Sequence, residues 1–219
     1  TFIALGLSES TTFGDAPGAV SALHFLSQAK RGMVDEIPAK VAVLGGGNTA
    51  MDAASEAKRL GAEDVYVVYR RSFNEMPAWP QERDACLNDG VHFLLLMQPT
   101  GYETNGNGKL SGIRIARTEL GAPDASGRRR PEVVPGSESV LNVGMAIEAI
   151  GQTLAPEVRE ALDGLPTDKS GMIQVEPGTQ YTGYDGVFAG GDIVNGGTTA
   201  VQGIVEGMQA ADEIDRFLS

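Results

Sequence analysis

"VAVLGGGNTAMDAASEAKRLGAEDVYVVYRR", residues 41 to 71, decides how the rest of the chain is read. A four-residue apolar run ends in Gly45, Gly46 and Gly47, and a helical pattern follows at once. Ala50, Ala53, Ala54, Ala57 and Leu60 recur on one helix face, and their small size lets a helix lie close on a sheet. Gly61 supplies a C-terminal stop, and Val65 to Tyr69 form a second strand. The segment therefore reads as a βαβ unit, which implies parallel strands.

Gly45, Gly47 and Ala50 fit the pattern G-x-G-x-x-A between strand and helix. The first glycine permits a tight turn, the second lets a pyrophosphate approach the backbone, and the small third residue lets helix pack on strand. Free N–H groups at the helix start, with the macrodipole behind them, attract the anion. Asp52 reads as an acid in the first helical turn that complements the dipole. At the tip of the second strand an acid marks NAD, whereas an arginine marks the 2′-phosphate of NADP. Arg70 lies 25 positions after Gly45, and Tyr69-Arg70-Arg71 carries no acid. NADP(H) is the favoured ligand; the alternative is that one arginine is merely a solvated strand end.

Outward from this unit, "TFIALGL" (1 to 7) is a short apolar strand with no initiator methionine, which suggests a chain cut from something longer. Residues 20 to 30 form a helix with His24 on its polar face, Pro80 and Gly90 bracket another, and 91 to 97 make a third strand. The period then changes to alternation, with Asn-Gly turns near 105 to 108 and a Ser-Gly-rich tip near 126, as in an antiparallel three-stranded meander. "MAIEAIG" (145 to 151), "GMIQV" (171 to 175) and "GVFAGGD" (186 to 192) read as further strands, and 198 to 218 as a closing helix. The expected fold is α/β, a Rossmann-like domain built on a parallel sheet plus the meander. In "GVFAGGD" a strand delivers Asp192 at a glycine turn, and the helix begins at Thr198 to Ala200 with N–H groups suited to a reduced ring or a pyrophosphate. Alone, the same pattern is equally a plain strand-turn-helix connection.

Composition narrows the classes. With 219 residues and 42% hydrophobic content the chain can bury one large core or two modest ones. No apolar run could span a bilayer and no signal-peptide pattern opens the chain, so a cytoplasmic protein without membrane contact is expected. The formal charge of −12 argues against nucleic acid as a partner. The single cysteine, Cys86, excludes an internal disulfide or dithiol pair; with two distant histidines it offers no metal site. His92 reads as structural, and Arg128, Arg129 and Arg130 as a solvated hairpin tip. No nucleophile signature and no candidate catalytic side chain appears.

"VLGGGNTAMDAA", "VYVVYRRSFNEMPA", "AIEAIGQ" and "GVFAGGDIVNGGTTAVQGIVEGMQAA" together resemble, in order and spacing, the NADPH-dependent flavin oxidoreductases typified by the small subunit of glutamate synthase. Dihydropyrimidine dehydrogenase and the large subunit of ferredoxin:NADP transhydrogenases are relatives of that family. The resemblance implies that Gly45, Gly46, Gly47, Asn48, Thr49, Ala50, Arg70 and Arg71 hold NADPH. It implies that Gly191, Asp192, Thr198, Thr199 and Ala200 face FAD, with Gly151 and Gln152 near a crossover between domains. Residues 8 to 152 would be the NADPH-binding domain, and 1 to 7 with 153 to 219 the remnant of an FAD-binding domain. The partners implied are upstream FAD and iron-sulfur segments and a partner subunit as electron acceptor. One departure is Phe73, where the family often carries a further basic residue. A non-catalytic NADP(H)-binding module is the alternative; a thioredoxin-reductase-like enzyme needs a C-x-x-C that is absent.

Overall fold

A computed structural model describes residues 1–123 and 129–219. The expected tip near residue 126, with Arg128, lies outside the described residues. The chain divides into two units, one comprising Ser10–Gly151 and the other Thr1–Glu9 with Gln152–Ser219. Short strands β1 (Phe2–Ile3) and β2 (Glu9–Ser10) open it.

In the larger unit follow β3 (Ala19–Ser21), α1 (Ala22–Lys30), β4 (Lys40–Leu44), α2 (Asn48–Arg59) and β5 (Asp64–Tyr69). A 3-10 turn at Phe73–Glu75 leads to α3 (Pro80–Asn88), β6 (His92–Leu95), β7 (Met97–Thr104), β8 (Leu110–Pro123), β9 (Arg129–Val133), β10 (Ser139–Leu141) and β11 (Met145–Glu148). Five parallel strands form one sheet in the order β3-β11-β4-β5-β6. Central β4 and β5 are apolar almost throughout because both their faces are covered. Val41, Val43, Val65 and Val67 pack against the alanines of α2 and against Phe25. Ala42, Leu44 and Val68 meet Leu110, Ile113 and Ile115 of β8, so the antiparallel sheet occupies the face where a doubly wound fold has helices.

The meander departs from three plain strands. Both β9 and β10 pair with β8 on the edge opposite β7, β9 at residues 118 to 123 and β10 at 113 to 115. The third position is thus filled by two short strands, because Pro135 cannot donate to a ladder and Gly136 turns with φ 75°. Arg129 is exposed as expected, but it opens strand β9 and donates through Nε to the Gly121 carbonyl at 3.1 Å and through its guanidinium to that of Leu120. Residues 20 and 21 belong to β3, so the first helix begins at Ala22; His24 on it is exposed.

The second unit contains β12 (Gln152–Thr153), α4 (Pro156–Ala161), β13 (Phe188–Ala189), α5 (Asp192–Asn195) and α6 (Ala200–Leu218). β1 and β13 form a two-stranded parallel sheet. The expected strand at 171 to 175 reduces to a single bridge, Thr167 to Ile173, and the helix expected from Thr198 starts two residues later. No helix among the described residues is long and apolar enough to cross a membrane.

Candidate functional site

β4 sits at the point where the chain order reverses: β5 lies on one side and β11 on the other. At the carboxyl ends of these strands lies a cleft of about 590 Å³, lined by Gly45–Gly47, the tip Tyr69–Arg71, and residues 149 to 151 with Thr11 and Phe13. Such a crevice at a topological switch point is where open α/β sheets take ligands.

The three glycines have different physical reasons. Gly45 has φ +139°, and a Cβ there would overlap the Ala149 carbonyl oxygen of the neighbouring strand end. A Cβ at Gly46 would meet the Tyr69 ring at 2.6 Å; that ring is held by its hydroxyl donating to the Glu75 carbonyl at 2.8 Å. Gly47 has ordinary dihedrals, φ −90° and ψ 177°, and a Cβ would meet nothing within 4 Å. The fold leaves that position open, and a ligand on the backbone is what a methyl would obstruct. Gly47 starts α2 without a side-chain cap, so the first helical N–H groups have no acceptor supplied by a capping side chain. Ala50 is fully buried against the sheet, while Thr49 is half-buried at the helix start. Asn48 is committed in part: its Oδ1 accepts the Trp79 N–H at 2.9 Å, and the Gly46 carbonyl accepts the Ala78 N–H at 3.0 Å. These bonds latch the segment after β5 onto the loop, which sequence spacing could not show. Asp52 lies beyond the first turn of α2; burial and the nearby Glu82 push its carboxyl up, so it is no dipole cap.

The two arginines are not equivalent. Arg70 is exposed at the cleft, and its carbonyl accepts the Thr118 hydroxyl at 2.8 Å. Arg71 is only 8% exposed; its Nε donates to the Arg129 carbonyl at 2.8 Å and its own carbonyl accepts the Leu96 N–H at 3.2 Å. Leu96 holds φ 55°, pinned on its other side by the Thr118 N–H, so the tip is braced from the antiparallel sheet. Among the described residues no carboxylate pairs with Arg71. Phe73, the departure from the family pattern, carries Arg83 over its ring at 4.7 Å.

The second cluster lies in the smaller unit. Gly191, with φ 75°, precedes Asp192, whose Oδ1 accepts the Thr198 N–H at 3.4 Å; Thr199 caps α6 by accepting the Gln202 N–H at 3.1 Å, and Ala200 begins the helix. Glu206, not singled out from sequence, organises this arc: its buried carboxylate accepts the Gly191 N–H at 2.5 Å, the Asn195 amide at 3.1 Å and the Gln202 amide at 3.0 Å. Burial would raise the Glu206 carboxyl, but the donors from Gln202, Gly191 and Asn195 outweigh it and hold the group below the usual carboxylate range. The sequence signal is Gln202 and Glu206, four residues apart on the closing helix. Because the folded value is depressed, this stabilisation is present above the ordinary carboxylate range and is lost as pH falls through the folded value. Glu206→Gln turns an amide donor toward existing donors and lowers stability by about 1–3 kcal/mol at neutral pH. Urea unfolding at neutral and acidic pH checks this: the gap between the two proteins closes on acidification, and a pH-independent gap would refute it.

Gly151 lines the first cleft, whereas Gln152 falls in the other unit. Among the described residues no group of three or more His, Cys, Asp or Glu is placed to hold a metal.

A parallel sheet, a glycine loop at its switch point and a helix starting behind that loop define the dinucleotide-binding class of α/β proteins. The chain belongs to the pyridine nucleotide-disulphide oxidoreductase family, whose model matches residues 1–212. It is 41% identical to the NADP(+)-dependent formate dehydrogenase subunit beta of Moorella thermoacetica, over 99% of this chain and 31% of that protein. To the glutamate synthase [NADPH] small chain of Escherichia coli K12 it is 39% identical, over 99% of this chain and 50% of that one. The chain thus spans half or less of the length of these relatives. In fold it matches Mycobacterium tuberculosis FprA in complex with NADPH, with a TM-score of 0.76 at 18% identity, over 99% of this chain and 63% of that one.

Proposed function

We propose that the unit Ser10–Gly151 binds NADP(H), as the nucleotide-binding part of a flavin-dependent oxidoreductase. The observation that carries this is Arg71. A buried guanidinium lining a cleft, without a carboxylate among the described residues, favours an anionic partner, since an unpaired buried charge is costly. The 2′-phosphate of NADP(H) is that partner, with Arg70 at the open side. Gly47 and the N-terminus of α2 fit a pyrophosphate, because the backbone there is open to close approach.

In the whole protein, hydride passes between NADP(H) and FAD, and electrons go on to iron-sulfur centres or a partner subunit. The cofactors supply that chemistry, and this chain's residues bind and orient. The smaller unit, Thr1–Glu9 with Gln152–Ser219, is the remnant of the FAD-binding domain, in which Gly191, Asp192, Thr198, Thr199 and Ala200 would face the flavin. Two features support a larger domain. Parallel sheets are rarely two-stranded, and Val201, Ile204 and Met208 of α6 are 69%, 62% and 67% exposed on one helix face. The present chain then lacks the ADP half of the flavin site and purifies colourless; a stoichiometric yellow flavin would contradict that part. For the nucleotide site, the chain should be retained on immobilised adenosine 2′,5′-bisphosphate and pass through immobilised 5′-AMP. Equal retention on both would sink the assignment.

A further inference from the structure

The order of strands fixes which way a dinucleotide runs. If its pyrophosphate lies on the loop after β4 and its 2′-phosphate at the tip of β5, its nicotinamide reaches the opposite side, over the end of β11. There Ala149, Ile150 and Gly151 line the cleft with Thr11 and Phe13. Glu148 is the last residue of β11 and is 3% exposed. Its Oε1 accepts the Phe13 N–H at 3.1 Å, the Gly14 N–H at 3.3 Å and the Tyr102 hydroxyl at 2.5 Å. Three donors on one oxygen suit an ionised carboxylate. Burial and the Glu148 carboxylate push the Tyr102 phenol far up, so Tyr102 remains the donor. Among the described residues no Lys, Arg or His forms an ion pair with Glu148. This buried carboxylate ties Phe13, Gly14 and Tyr102 together, and its negative charge at this place does nothing for the anionic half of a dinucleotide.

We infer that Glu148 is a specificity-determining residue that favours the oxidised, cationic nicotinamide of NADP+ over the neutral ring of NADPH. The inference rests on the NADP(H) reading of the cleft. One ring carries a positive charge and the other none, so a fixed carboxylate discriminates between them while hydrogen bonds and packing treat both alike.

Titration of the 219-residue chain and its variants with NADP+ and with NADPH tests it. Glu148→Gln keeps the size and an acceptor oxygen but removes the charge. The ratio of Kd for NADP+ to Kd for NADPH should rise roughly fivefold, through weaker NADP+ binding. Tyr102→Phe, which removes a donor and no charge, and Glu148→Asp, which keeps the charge, should leave the ratio within about twofold of the parent whatever they do to overall affinity. A merely structural Glu148 would weaken both ligands equally in Glu148→Gln, and that result overturns the inference while the NADP(H) reading stands. A shifted ratio in Glu148→Asp overturns it even if Glu148→Gln does not fold. Binding of neither nucleotide by the parent chain overturns both.

Discussion

Replacing Arg71 by alanine lowers the affinity of the chain for NADPH by roughly ten- to hundredfold and leaves NADH binding within about twofold. The guanidinium is anchored at Nε on the Arg129 carbonyl, which fixes the plane of the fork before any ligand arrives. A hydrogen bond between charged partners contributes about 1.5–3 kcal/mol, and a fixed fork loses little entropy in making it. Arg71→Lys keeps the charge without the fork and falls between parent and alanine variant. Because Arg71→Ala also leaves the Arg129 carbonyl without its donor, thermal unfolding accompanies the titration. Selective loss of NADPH binding by a folded protein is the expected result, and equal loss of both coenzymes would point to a structural arginine instead. Arg70, exposed and screened by salt, should contribute less.

The glycine loop gives the second large effect, as a contrast between neighbours. Gly45→Ala lowers stability by about 3 kcal/mol or more, since a side chain at φ +139° is strained and its Cβ falls on backbone, which no rotamer change relieves. Gly47→Ala changes stability by no more than about 1 kcal/mol, because its dihedrals suit any residue and the space beyond Cβ is open. The same methyl stands where the pyrophosphate must approach and reduces NADPH affinity by roughly tenfold or more. Chemical denaturation and nucleotide titration on both variants separate the two roles. A Gly47→Ala protein that binds NADPH as the parent does would remove the loop from the site.

The legible parts of this molecule were those written in contiguous residues. The run from Val41 through Gly47 to the alanine stripe carries its strand, turn and helix in one stretch, and the fully buried Ala50, Ala53, Ala54 and Ala57 are its imprint. The arginine tip was visible for the same reason, but its asymmetry was not: Arg71 is anchored on the Arg129 carbonyl of β9, which lies 58 residues away along the chain. Glu148 escaped notice because its donors come from Phe13, Gly14 and Tyr102, and only the folded sheet brings them to one carboxylate. Glu206 was hidden likewise, since its partner Gly191 precedes it by 15 residues across a turn. Strand β3, three residues of small side chains, has too little pattern of its own and exists because β11 pairs with it. At 171 to 175 the opposite holds: the apolar alternation is present, but among the described residues no neighbouring strand extends the bridge at Ile173.

The most direct test of the account is calorimetric titration of the unmodified chain with NADPH and with NADH under one set of salt conditions. One site per chain, holding NADPH at least tenfold more tightly than NADH, is the predicted result. Equal affinities, or no heat from either coenzyme, would contradict it.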